Sequence, residues 1–271
     1  MERILCLSSF IGVIISIFNS YLAIFILAGL LLFDLLSLKP TIEKSSTLIA
    51  FTSFALCTIT QLGFEYLPDS CWGISLKLYL LSLCIFHVSE FLTQSYFHPQ
   101  SAKFSTYLLN HSREYELAII ISFIEHAIKL AIPFPEMFYN WLALCIGIFV
   151  VVIGHFFRIG AEINAGSNFT HLIQNSKKET HTLVTSGFYK ICRHPSYLGW
   201  FLWSVGTQIM LGNIICSIGF FITSRQFFSG RIYYEEYTLL EFFGTEYLSY
   251  SKKTSQFMPF FDNFLNTPKI T

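Results

Sequence analysis

Residues 4–33 read ILCLSSFIGVIISIFNSYLAIFILAGLLLF, thirty consecutive positions without one charged side chain. As a single helix this run would be about 45 Å long, too long for a bilayer core of about 30 Å. The polar pair Asn19-Ser20 falls near its middle, so the stretch is expected to fold as a hairpin of two short spans. Arg3 ahead of it gives the look of a signal peptide, but the apolar run is far longer than a signal's core of about 7–15 residues.

The rest of the chain agrees. Of 271 residues, 53% are hydrophobic and 13% charged, with 30 Phe and a mean hydropathy of +0.55. Soluble domains carry roughly 25% charged residues, so this chain lacks the means to cover itself in water. Spans long enough to cross a bilayer as helices follow at about 47–66, 73–95, 115–132 and 137–157. Two more, at about 197–211 and 213–228, are parted by Gly212-Asn213. The expectation is an all-α, polytopic membrane helix bundle of about eight spans, since only helices and closed barrels satisfy their backbones in lipid.

Charge placement supports that count. Lys39, Lys44, Lys103, Arg113, Lys177, Lys178, Lys190, Arg193, Arg231, Lys252 and Lys253 fall in alternate connections, on the side of Arg3. The opposite connections, at 19–20, 67–72, 133–136 and 212–213, carry no Lys or Arg. By the positive-inside rule the basic side, and with it both termini, is cytosolic. Lys77 and Lys129, near the far span ends, can snorkel to the headgroups.

Net charge is zero, from 17 basic and 17 acidic residues. Without a basic run, nucleic acid is not expected as a partner. The seven cysteines are scattered through apolar segments without CxxC spacing and read as small buried hydrophobes.

Residues 159–196 and 229–271 are the more polar segments, and both flank the hairpin at 197–228. The chain is therefore expected to comprise N-terminal spans (1–158) and a catalytic region (159–271), packed as one domain, with a small cytosolic lobe at the membrane surface. In that lobe, Ser186-Gly187 opens a short helix carrying Tyr189 and Arg193. His194 precedes Pro195 and is biased away from helix. Ser196 is placed to cap the span that follows, whose first N–H groups can seat an anion. The same residues also serve as a plain helix start, with Tyr197, Trp200 and Trp203 as an interfacial aromatic belt. Arg231 and Glu235 share a helical face, and an arginine fork beside a bilayer suits a carboxylate. Glu236 points elsewhere, as a solvated carboxylate. Asp34, Glu65, His87, Glu90, Glu125 and His126 fall in spans; structural pairing inside the bundle is expected, His87 with Glu90 among the pairs.

Four stretches carry a family resemblance: AGSNFTHLIQ (165–174), HTLVTSGFYKICRHPSYLGWFLWSVGTQIMLGN (181–213), RIYYEEYTLLEFFGTEYLSYSKK (231–253) and, more weakly, LLNHSREYELA (108–118). Together they resemble the isoprenylcysteine carboxyl methyltransferase family, strongly over residues 155–260. The resemblance implies methyl esterification of the C-terminal carboxylate of farnesylated or geranylgeranylated cysteine in processed CaaX proteins. It implies S-adenosylmethionine as donor, S-adenosylhomocysteine as product, and a multi-pass endoplasmic reticulum protein with a cytosolic active site, in contact with membrane lipid. Carried over by position, the cofactor contacts fall on Gln174, His181, Thr182, Leu183, Val184, Tyr189, His194, Pro195, Ser196, Tyr197 and Glu235. The substrate contact falls on Arg231, so Arg231 and Glu235 are the expected catalytic residues, and no metal is implied. Tyr233-Tyr234 stand where relatives often carry acidic residues. The short RHPxYxG pattern is shared with phospholipid methyltransferases and with sterol reductases that use NADPH, and these are the alternatives; a prenyl-protein receptor or scaffold is the non-enzyme one.

The implied chemistry suits the residues. An α-carboxyl, with a pKa of about 3.5, is already ionised at neutral pH, so attack on a sulfonium methyl needs no general base. Alignment and removal of water remain to be done. A sulfonium also suits walls of aromatic rings and carbonyls better than a glycine-rich phosphate loop.

Overall fold

The computed structural model describes residues 44–101, 106, 108, 113–131, 141–177 and 179–256. The hairpin expected over 4–33, Asp34 and the connection at 133–136 lie outside them. Among the described residues the chain forms eight α-helices and no strand: α1 (Lys44–Tyr66), α2 (Cys71–Phe97), α3 (Arg113–Ala131), α4 (Trp141–Ala165), α5 (Phe188–Ile191), α6 (Pro195–Leu211), α7 (Ile214–Phe243) and α8 (Thr245–Lys253). The all-α expectation holds, and helices occupy the six expected spans within reach. Two, α2 and α4 with its 3-10 extension to Asn168, are long and apolar enough to cross a membrane.

The chain divides into two compact units, residues 1–144 with 210–212, and residues 145–209 with 213–271. In the first, Cys57 of α1 packs with Cys84, Val88 and Phe91 of α2. Helix α3 is inside-out by the standards of a soluble protein. Its buried residues are Ser122, His126 and Lys129, whereas Leu117, Ile120, Ile124 and Ile128 are exposed. A helix that hides polar groups and shows apolar ones belongs in lipid. Lys77 does reach outward, to the exposed Asp69 at 2.6 Å. Lys129 does not snorkel: it is buried and donates to the Leu211 carbonyl at 3.0 Å, where the orphan carbonyls ending α6 favour a cation. His87 and Glu90 are buried, and His87 Nε2 pairs with Tyr115 OH at 2.9 Å.

In the second unit α4 and α6 meet backbone to backbone. A Cβ added at Gly154 would stand 2.5 Å from Trp203 N, and one at Gly206 would stand 2.9 Å from Val150 Cγ1. Gly199 faces the Arg158 backbone in the same way. Glycine at these positions lets the first turn of α6 lie against α4. The core between α6 and α7 holds Cys192, Leu198, Phe201, Phe228 and Ile232.

Sequence patterning separates the span ending near residue 228 from a polar segment after it, but α7 runs unbroken for 30 residues. Ser229-Gly230 is too weak a breaker, costing about 1 kcal/mol, against buried Phe228 and Ile232 on either side. Arg231, Glu235 and Glu236 therefore ride on the same rod as the apolar hairpin. Gly244, at φ +53°, ends that rod and turns the chain into α8.

Candidate active site

The site grows from a glycine turn. Gly187 adopts φ +56°, and a Cβ there would collide with the Asn164 side chain. Asn164 Oδ1 accepts from Phe188 N at 2.8 Å, fixing the single turn of α5 and with it Tyr189. Tyr250 of α8 donates to the Tyr189 carbonyl at 2.5 Å. Helix α6 then begins at Pro195, whose missing N–H costs nothing at a first helical position. Ser196 consequently does not cap it, contrary to the sequence expectation. Its hydroxyl turns to Arg158 Nη1 at 2.5 Å instead.

The loop after α4 is strapped along α7 by three bonds. Arg231 Nη2 donates to the His171 carbonyl at 2.7 Å, Tyr234 OH to Asn175 Oδ1 at 2.8 Å, and Lys177 Nζ to the Phe242 carbonyl at 2.9 Å. Asn168 Oδ1 accepts from Thr182 N at 2.9 Å, which holds the returning strand of the loop.

Between loop, α5, α6 and α7 lies a cleft of about 950 Å³, counting its open mouth. All eleven residues carried over as cofactor contacts line it: Gln174, His181, Thr182, Leu183, Val184, Tyr189, His194, Pro195, Ser196, Tyr197 and Glu235. Arg231 is not among the lining residues. It stands one turn before Glu235, its guanidinium 5.6 Å from the rings of both Tyr197 and Phe227.

Sequence reasoning missed two groups. Thr238, Leu239, Phe242, Phe243, Tyr247 and Tyr250, on α7 and α8, close the far wall; for the four on α7, helical spacing from Glu235 was the available signal. Beneath the cleft, Arg158 and Glu162 form a buried ion pair at 2.8 Å, with Arg158 stacked on Trp200 at 5.0 Å and Phe169 at 5.4 Å. Two opposite charges four residues apart in an apolar helix were visible in the sequence.

Glu236 requires a correction: it is wholly buried, not solvated. Its Oε1 accepts from Arg193 Nε at 2.7 Å and meets His194 Nε2 at 2.8 Å. Arg193 also donates to the carbonyls of Ser251 and Thr254, binding the C-terminal end of α8. On its other side, His194 Nδ1 faces Glu235 Oε2 across 3.5 Å, and its ring stacks on Tyr197 with centroids 5.7 Å apart.

Burial opposes a charge on His194, but hydrogen bonds to Glu235 and Glu236 and their charges lift its pKa to about 9. Burial likewise pushes both carboxyls up; His194 outweighs it in each case, helped at Glu236 by Arg193 and at Glu235 by Arg231, so both lie below the usual carboxylate range. Burial raises the Tyr189 and Tyr247 hydroxyls, which remain protonated donors. Glu235 Oε2 has only the long approach of His194 Nδ1, and Tyr247 OH is buried without a hydrogen-bond partner among the described residues. The cleft thus offers an acceptor with negative charge, a hydroxyl and aromatic walls, arranged to hold a polar ligand that carries a cation.

The sequence profile of the isoprenylcysteine carboxyl methyltransferase family matches residues 145–241. The protein-S-isoprenylcysteine O-methyltransferase of Xenopus laevis is 41% identical over 88% of this chain and 81% of its own length. Its human counterpart is 42% identical over 86% and 80%. A solved structure of the eukaryotic intramembrane Ras methyltransferase, isoprenylcysteine carboxyl methyltransferase, superposes with a TM-score of 0.82 at 32% identity, over 96% of this chain and 97% of that one. On the strength of these matches, the chain belongs to the isoprenylcysteine carboxyl methyltransferase family.

Proposed function

We propose that this chain transfers the methyl group of S-adenosylmethionine to the C-terminal carboxylate of a prenylated cysteine in processed CaaX proteins, forming a methyl ester and S-adenosylhomocysteine. Relatives that it matches over most of their length are named for methylation of isoprenylcysteine. The observation that carries the site assignment is the gathering of Glu235 and the ten other expected contacts around one cleft.

S-adenosylmethionine supplies an electrophilic methyl on a sulfonium, and the residues fit it. Glu235 would accept from its ammonium, Tyr189 would offer an aromatic face and Tyr197 its hydroxyl, and the N–H groups opening α6 would suit its carboxylate. His181, Thr182, Leu183, Val184, Gln174 and Pro195-Ser196 complete the wall. Arg231 is the residue to bind and orient the substrate carboxylate; the His171 carbonyl takes one of its N–H groups, and the rings of Tyr197 and Phe227 flank its guanidinium. An ionised carboxylate needs no base, so these residues work by alignment and by excluding water.

In this reading the chain crosses the endoplasmic reticulum membrane about eight times, with both termini and a small cofactor-binding lobe in the cytosol, as its one-sided distribution of Lys and Arg indicates. At about 0.8 kcal/mol per buried CH₂, a 15- or 20-carbon prenyl chain stays in lipid while its carboxylate meets the lobe at the membrane surface. No observation favours a sterol reductase or a phospholipid methyltransferase over this reading. The test is purified protein with labelled S-adenosylmethionine and N-acetyl-farnesylcysteine. Wild type is expected to form the methyl ester. Arg231→Ala should lose about 10²–10³-fold in kcat/KM, the cost of truncating one partner of a charged pair, while still binding donor. Turnover of that variant within about threefold of wild type would sink the role.

A further inference from the structure

Four charged side chains meet beside the cleft. Arg193 and His194 come from the joint between α5 and α6, Glu235 and Glu236 from α7. Glu236 does not itself line the cleft, yet it is the most enclosed of the four, with a fully buried side chain. Its Oε1 takes both Arg193 Nε and His194 Nε2. A carboxylate oxygen only accepts, so the imidazole must present N–H at Nε2. Glu235 faces the opposite ring nitrogen and likewise only accepts. The stack on Tyr197, interplanar angle 8°, leaves the ring no other orientation that serves both acids.

We propose that Glu236 is a positioning residue for methyl transfer: acting through His194 Nε2, it fixes the imidazole as a doubly protonated donor whose Nδ1–H holds Glu235 in the rotamer that receives the methyl donor. This rests on the assignment of Glu235 to the cofactor. The groups facing His194 are Glu235 and Glu236 of α7, Arg193 before it, Tyr197 of α6 and, behind Glu236, Tyr247 of α8. Arg193 is paired with Glu236. Glu235 is then left with His194 as its immediate counter-charge, Arg231 being a turn away. Replacing Glu236 therefore disturbs Glu235 without touching it.

Glu236→Gln keeps the shape and an acceptor oxygen for Arg193 but removes the charge; Glu236→Asp keeps the charge and shortens the reach. The first readout is the ¹⁵N resonance of His194 in histidine-labelled enzyme without ligand, assigned with His194→Asn. In wild type it should titrate near pH 9. In Glu236→Gln the midpoint should fall by at least about one pH unit, and in Glu236→Asp it should move less. The second is kinetic: Glu236→Gln should raise KM for S-adenosylmethionine about tenfold or more and make it climb between pH 7 and 9, with KM for the prenylcysteine unchanged. A variant that folds, as judged by its thermal transition, with an unmoved His194 midpoint overturns the proposal. So does a loss confined to kcat with no pH dependence. Should the midpoint move while Glu235→Gln leaves donor binding intact, it is the cofactor assignment that fails, because the resonance is read without ligand.

Discussion

Replacing four glycines one at a time by alanine separates close packing from helix propensity. At Gly154 an added Cβ would sit 2.5 Å from Trp203 N, where ordinary contact begins at 3.4 Å. Neither partner is a flexible side chain, so α4 and α6 must part locally by about 0.9 Å, the shortfall in that contact. Overpacking of this kind costs about 1–3 kcal/mol, and Gly199, against the Arg158 backbone, should behave alike. For a protein of this size each kcal/mol lowers the unfolding midpoint by about 2–4 °C, so Gly154→Ala and Gly199→Ala should each lose about 2–12 °C in detergent micelles. Gly219 and Gly230, in α7, have nothing within 4 Å of an added Cβ. Alanine there gains about 0.5–1 kcal/mol from propensity and should raise the midpoint slightly. Function should split in the same way. The first turn of α6 bears His194 to Tyr197, so the Gly199 variant should raise KM for S-adenosylmethionine several-fold, and the α7 pair should not. Midpoints for Gly154→Ala and Gly199→Ala at or above that of Gly219→Ala would refute the reasoning.

Two further outcomes follow from the buried charges. Arg158→Met leaves Glu162 without its guanidinium, and breaking a buried pair from one side costs about 3–5 kcal/mol; Arg158→Met with Glu162→Leu should recover most of it, and a double variant no more heat-stable than the single would count against the pair. For pH, the folded pKa of His194 is raised from 6.5 to about 9, so its contribution is complete below pH 6.5 and is lost as pH rises through 9. Glu235 and Glu236 are lowered from 4.5, so theirs is present above pH 4.5 and lost as pH falls below it. The unfolding midpoint should accordingly be highest between about pH 4.5 and 6.5 and decline from 6.5 to 9, and His194→Asn should abolish the alkaline decline.

Much of this was legible along the chain. Few charges overall and apolar segments of spanning length point to helices, because only helices and closed barrels satisfy the backbone in lipid, and the expected spans among the described residues are helical. The residues that the family resemblance singles out in HTLVTSGFYKICRHPSY lie within a few positions of one another, and a glycine turn, a one-turn helix and a proline leave that stretch little freedom. All of them reached one cleft.

What the sequence could not determine was the fate of groups whose partners arrive from elsewhere. On a helical wheel Glu236 lies about 100° from Glu235, and an isolated helix would leave it in water. Arg193 and His194 close over it from 43 and 42 positions away, converting a solvated acid into a buried anchor. Lys129 reads as a snorkelling lysine until the end of α6 brings it the Leu211 carbonyl. Ser196 reads as a cap until α4 offers it Arg158. Local pattern settles which segments are helical and which faces are apolar, because those depend on neighbours within a turn or two. Whether a charge is paid for by water or by another side chain depends on what the fold places across from it, and only the tertiary structure decides that.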